Sequence, residues 1–133
     1  MRIAQILAGL MLAAAPNLAH AADAWDGGDA TAGQEIFTHG HGGLACAICH
    51  SNEAGKTKIG PSLFGVVGRP SGTEGGYSYS DAMKAYNHVW TPENLFTYLE
   101  APQKVVPGTK MTFPGLPDPA DRKNVIAYLA TLK

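Results

Sequence analysis

Five consecutive residues, Cys46-Ala47-Ile48-Cys49-His50, restrict what this chain can become more than any other stretch. Cysteines three positions apart lie close together on one helical turn. Each thiol can add to one vinyl group of a protoporphyrin, giving two thioether bonds. A histidine that follows directly is carried under the iron and can ligate it. C-x-x-C is also the pattern of a redox pair opening a helix in a βαβ unit. Here the surroundings are glycine-rich and no strand pattern precedes the motif. A zinc site would need two further ligands at suitable spacing. The chain has two cysteines in all, and no H-x₃₋₅-H pair stands downstream. The motif therefore reads as attachment of one covalent haem c through Cys46 and Cys49.

The chain has 133 residues, enough for one small domain. Its start reads as an export signal: Arg2 gives a positive end, and Ile3 to Ala15 is almost unbroken apolar sequence. Ala19-His20-Ala21 has the small-x-small form of a cleavage site. Pro16 interrupts the apolar run, and a spanning helix needs about 20 apolar residues. Cleavage after Ala21 is expected, leaving residues 22–133 as the mature domain. This implies a periplasmic location and no stable membrane anchor. Loss of Arg2 leaves nine basic side chains against eleven acidic ones, a formal charge of −2 instead of −1. So balanced a charge argues against nucleic acid as a partner. An oxidising compartment would otherwise favour a disulfide, which a two-residue gap strains; thioether capture removes that conflict. A buried porphyrin also supplies apolar contact area that so small a domain lacks.

The residues then read as short helices separated by loops. Residues 22–28, with Trp25, form a loose lead-in. A helix is predicted from Asp29 as N-cap, with Thr31 and Gln34 as a competing capping box. Gly33, Ile36 and Phe37 share one face of it. Glycine inside a helix costs about 1 kcal/mol against alanine, and close approach of another helix would be one reason for it. The glycine-rich stretch Thr38–Leu44 carries His39 and His41, read, like His88, as solvated loop histidines. Gly60-Pro61-Ser62-Leu63 follows the motif. A ligating histidine usually donates its other ring N–H to a carbonyl or carboxylate, and the Pro61 carbonyl is the candidate for His50. Gly65 to Gly76 is turn-rich around Arg69. Ser80 can cap a helix over 81–86. Thr91-Pro92 opens another, with Leu95, Tyr98 and Leu99 on its apolar face and Pro102 as its stop. Asp118 and Pro119 open the last, whose Val125, Tyr128, Leu129 and Leu132 form one stripe. No alternating strand pattern persists, so the class is all-α. Val105 to Pro117 is too rich in proline and glycine to be helical. Met111 sits within it. Methionine more often fills a core gap, but beside a haem its thioether is a soft neutral ligand suited to ferrous iron.

From about residue 28 to 133 the chain resembles a class I cytochrome c of the mitochondrial and purple-bacterial type. The resemblance rests on motifs in order: Cys46-Ala47-Ile48-Cys49-His50, Gly60-Pro61-Ser62-Leu63, Gly68-Arg69, Tyr77-Ser78-Tyr79-Ser80-Asp81-Ala82, Trp90 and Tyr98-Leu99-Glu100. Pro107-Gly108-Thr109-Lys110-Met111-x-Phe113 and Ile126-Ala127-Tyr128-Leu129 complete it. It implies crossed N- and C-terminal helices, with short helices and loops wrapped around the haem. Cys46 and Cys49 would carry the thioethers, and His50 and Met111 would be the axial ligands. Arg69, Tyr79 and Trp90 would contact the haem propionates, and Tyr98 would lie beside the Met111 sulfur. Gly33 and Phe37 would meet Val125 and Tyr128 at the helix crossing.

The resemblance further implies a soluble, monomeric electron carrier and no enzyme. Its partners would be a quinol–cytochrome c oxidoreductase, a terminal oxidase, a reaction centre or a periplasmic dehydrogenase. The alternatives are a subunit dedicated to a periplasmic dehydrogenase complex, and a haem enzyme or gas-binding protein with a vacant sixth site. Two features depart from the family. The Thr38–Leu44 loop is longer, and the lysine ring is thinner: Gln103 stands where lysine is common, leaving Lys56, Lys58, Lys104 and Lys110.

Overall fold

A computed structural model describes residues 27–133. The export signal, its cleavage position and Trp25 lie outside the described residues. Among the described residues, five helices carry the fold: α1 (Ala30–His39), α2 (Asp81–Tyr86), α3 (Pro92–Glu100), α4 (Pro102–Val105) and α5 (Pro119–Ala130). A 3₁₀ turn spans Cys46–Ile48. Among the described residues there is no strand, only an isolated bridge between Pro70 and Val89.

The helices start where short polar side chains satisfy their first free N–H groups. Asp29 Oδ1 accepts from Thr31 N at 2.8 Å and Ala32 N at 3.1 Å. Asp29 is thus the cap of α1, and the competing box at Thr31 is not used. Ser80, Thr91 and Asp118 cap α2, α3 and α5 in the same way. The first helix extends through Thr38 and His39, so the loop after it begins only at Gly40. Pro102 does end α3, but it also begins α4, taking Val105 out of the loop. Proline lacks an N–H that the first helical position does not need.

The N- and C-terminal helices cross at Gly33. A Cβ there would stand 1.9 Å from the Asn124 carbonyl oxygen, so only glycine lets the two backbones meet. Next to it the Phe37 and Tyr128 rings pack with centroids 5.3 Å apart. Asn124 Oδ1 accepts from Asp29 N at 2.9 Å and ties the start of α1 to the same crossing. On its other side α5 packs against α3. Two neighbours widen the single apolar stripe of α5, and Ile126 and Ala127 are buried beside Val125, Tyr128 and Leu129. These side chains, with Leu95, Tyr98 and Leu99 of α3, form the core. The core also makes the back wall of one cavity, and the long loops close over its sides.

Candidate functional site

The cavity holds about 1280 Å³ of space free of protein atoms, part of it open to solvent. Aliphatic and aromatic side chains make most of the wall, including Leu63, Val66, Leu95, Leu99 and Val125. Cys46, Cys49, His50 and Met111 all reach it, as do Pro61, Arg69, Tyr79, Trp90 and Tyr98. Every residue that the sequence assigned to the haem site therefore lines one space.

The turn at Cys46–Ile48 sets the first group. His50 N donates to the Cys46 carbonyl at 2.9 Å, which folds the histidine back beside the cysteines. Its ring then donates from Nδ1 to the Pro61 carbonyl at 2.7 Å. A carbonyl can only accept, so Nδ1 carries the proton and Nε2 keeps its lone pair. Burial holds the imidazole pKa below its usual value despite that hydrogen bond, which favours the neutral, ligating form. Gly60 makes the approach possible: a Cβ on it would sit 2.6 Å from His50 Cε1.

The loop after α4 sets the second group. Tyr98 Oη donates to Met111 Sδ at 3.4 Å and lies 3.3 Å from Thr109 Oγ1. Burial raises the Tyr98 pKa, so the hydroxyl stays protonated as a donor. Met111 N donates to Thr109 Oγ1 at 3.3 Å and Gln103 Nε2 to the Met111 carbonyl at 3.4 Å. On the loop's far side, Leu116 N bonds the Leu99 carbonyl at 2.8 Å.

Arg69 lies against the cavity wall with both Nη1 and Nη2 hydrogen-bonded. It pairs with Glu74 at 2.8 Å and donates to the Ser62 and Phe64 carbonyls at 3.0 and 3.1 Å. Glu74 N donates to Tyr79 Oη at 3.2 Å, joining Arg69, Glu74 and Tyr79 into one polar corner. Trp90 is buried between Tyr86 and Tyr98, its ring centroid 5.6 and 4.8 Å from theirs.

The sequence profile described as Cytochrome c matches residues 30–133. This chain belongs to the cytochrome c family. It is 53% identical over 106 residues to cytochrome c2 of Rhodopila globiformis, covering 80% of this chain and 95% of that protein. Cytochrome c of Euglena viridis is 47% identical over 106 residues, 80% of this chain and 99% of its own length. Among solved structures, cytochrome cH from Methylobacterium extorquens superposes with a TM-score of 0.69 at 43% identity. That match covers 78% of this chain and 99% of the other.

Cytochromes c are electron carriers, not enzymes, and their haem is covalent; Cys46 and Cys49 fit its C-x-x-C-H attachment motif. The cavity suits that group: its wall is apolar, and both thiols, an imidazole with a free Nε2 and a thioether share it. Burial pushes the Cys46 thiol up to about 11. Unattached, it is a poor nucleophile in the closed cradle, since the thiolate is the reacting form. Replacing Gly60 with alanine should drive the His50 ring from its position. We expect a loss of about 1–3 kcal/mol, read as a lower denaturation midpoint of the haem protein.

Sequence reasoning missed Glu74, which neutralises Arg69 inside the polar corner. It also missed Arg122, which is only 4% exposed. Arg122 Nη1 donates to the Leu116 and Pro117 carbonyls at 2.6 and 3.1 Å, and its Cζ stacks 4.2 Å from the Phe96 ring centroid. It thereby anchors the downstream end of the Met111 loop onto α5. A signal was present: Arg122 stands at i relative to Val125, Ile126 and Leu129, a charge on the buried face of a helix.

Proposed function

We propose that this chain is a soluble, periplasmic, monohaem electron carrier in which His50 and Met111 are the two axial ligands. One observation carries the reading. His50 and Met111 line the same cavity, and each ligand atom is already oriented by a hydrogen bond, from Nδ1 to Pro61 and from Tyr98 to the sulfur. Haem c supplies a one-electron ferric/ferrous couple. The chain fixes what surrounds it. The His50 imidazole and the Met111 thioether would hold the iron together and would leave no coordination site for substrate or oxygen. A neutral thioether favours the ferrous state and raises the potential. The apolar wall excludes water and tunes the couple further. Arg69, Tyr79 and Trp90 would receive the propionates at the polar corner, and Cys46 and Cys49 hold the ring.

The export signal at residues 1–21 and the mature domain at 22–133 belong to this reading. The relatives named cytochrome c2 support it. Partners would be redox proteins of the kinds expected from the family, a quinol–cytochrome c oxidoreductase, a terminal oxidase, a reaction centre or a periplasmic dehydrogenase. A second reading, a subunit dedicated to one dehydrogenase, draws on the loop Gly40–Leu44. His41 Nδ1 fastens that loop to Asp121 of α5 at 2.6 Å, giving a fixed projection that a constant partner could grip.

The test is direct. The reduced wild-type haem protein should refuse carbon monoxide, show one reversible one-electron couple, and elute from gel filtration of a native periplasmic extract at monomer size. Rapid carbon monoxide binding would overturn the ligand assignment, and elution with a dehydrogenase would favour the second reading.

A further inference from the structure

Four residues, Thr112 to Gly115, separate Met111 from the point where its loop is next tied down. Among the described residues, no backbone–backbone hydrogen bond holds any of the four. The bonds at Met111 itself are long. Its N–H reaches Thr109 Oγ1 at 3.3 Å, and its carbonyl accepts from the exposed Gln103 at 3.4 Å. The sulfur therefore depends on how the ends of the segment are fixed. Downstream, the Leu116 N–H donates to the Leu99 carbonyl of α3 at 2.8 Å, and Arg122 of α5 takes the carbonyls of Leu116 and Pro117.

Packing alone does not account for an arginine there. Its side chain is buried, Nη2 stands 3.7 Å from the Glu100 carboxylate, and Nε has no acceptor among the described residues. Burying a cation on such terms costs more than burying an apolar side chain of similar size. What the guanidinium alone brings is a charged donor held flat against Phe96. Its Cζ lies 4.2 Å from that ring centroid, and its Nη1 meets two consecutive carbonyls at 2.6 and 3.1 Å. Hydrogen bonds with a charged donor are roughly twice as strong as neutral ones. Because α5 also packs on α1 and α3, the bond ties the loop to the helix crossing.

From this we infer that Arg122 is a positioning residue for the Met111 sulfur and sets how often that axial position opens. Arg122 does not line the cavity and acts only through the Leu116 and Pro117 carbonyls. This rests on the axial-ligand reading above and names what governs that ligand's hold. With both carbonyls pinned, the sulfur can withdraw only by bending the four residues between. Without Arg122, the Leu116–Leu99 bond is left to hold that end, and the loop can peel away from α5. An outside ligand binds only the open fraction, so its apparent dissociation constant is the intrinsic one divided by that fraction.

Imidazole is the probe, titrated into the ferric holoprotein and followed by the haem spectrum. Met111→Ala has no sulfur to displace and gives the intrinsic affinity. Arg122→Met keeps the length and apolar bulk but loses the charged donor. It should bind imidazole about 10- to 100-fold more tightly than wild type, as loss of a hydrogen bond to a charged group predicts. Arg122→Lys keeps the charge without the planar fork and should fall between, at least about threefold tighter than wild type. Asn124→Ala is the control. It removes the bond to Asp29 N from a face of α5 that Arg122 does not share. It should leave imidazole affinity within about twofold, as independent sites do.

Hydrogen exchange gives a readout without any added ligand. The Leu116 amide should exchange about tenfold faster in Arg122→Met than in wild type, and at the wild-type rate in Asn124→Ala. Should Arg122→Met not fold, Arg122→Lys carries the test. Wild-type imidazole affinity in the folded Arg122 variants, or an equal gain in Asn124→Ala, overturns the inference. Met111→Ala binding imidazole no more tightly than wild type would instead overturn the axial-ligand reading, so the two failures are distinguishable.

Discussion

Replacing Met111 with alanine is expected to lower the reduction potential by on the order of 0.2 V, a quarter of the roughly 0.8 V that axial ligation spans. The same variant should bind carbon monoxide when reduced, which the wild type should not. The sign follows from ligand chemistry. A soft neutral thioether favours ferrous over ferric iron, and the water or hydroxide that would replace it has the opposite preference. Little in the wall would compensate. Tyr98 Oη loses its sulfur partner but keeps Thr109 Oγ1 at 3.3 Å, so the pocket has no reason to collapse. Voltammetry and a carbon monoxide titration of the reduced protein check both halves. An unchanged potential would remove Met111 from the ligand set.

Gly33→Ala should destabilise the folded protein by about 3 kcal/mol, at the upper end for overpacked cores. Two effects oppose each other here. Alanine is the better helix former, worth about 1 kcal/mol inside a helix. Its Cβ, however, would lie 1.9 Å from the Asn124 carbonyl oxygen and 2.5 Å from the carbonyl carbon. Those atoms are backbone of α5 and cannot rotate away as a side chain could. The whole crossing must widen, and the Phe37–Tyr128 contact and the Asp29–Asn124 bond open with it. Denaturant unfolding measures the loss. A gain in stability would mean that α1 and α5 do not touch at this point.

Much of this architecture was legible along the chain because the signals are local. A cap acts on N–H groups two or three residues ahead, so Asp29, Ser80, Thr91 and Asp118 mark their helix starts without help from the fold. Boundaries read less well at the far ends. Thr38 and His39 stayed helical, and Pro102 opened a new turn after closing the old one, since nothing local decides between stopping and restarting. The polar corner was only half visible. Arg69 stands out in a turn-rich stretch, but Glu74 becomes its partner only when the loop folds back.

The sequence by itself determined the chemistry and the order of the parts: two thiols and an imidazole in five residues, a methionine inside a segment unable to form a helix, and helices whose starts are fixed by their own caps. It did so because covalent attachment, capping and proline geometry depend on neighbours a few positions apart. Tertiary structure alone decided which distant groups meet. It set Arg122 beneath Leu116 and Pro117, closed His41 onto Asp121, and brought His50, Arg69, Tyr98 and Met111 to one cavity. Those pairings depend on how α5 seats against α1 and α3, a close-packed arrangement in which each contact requires all the others.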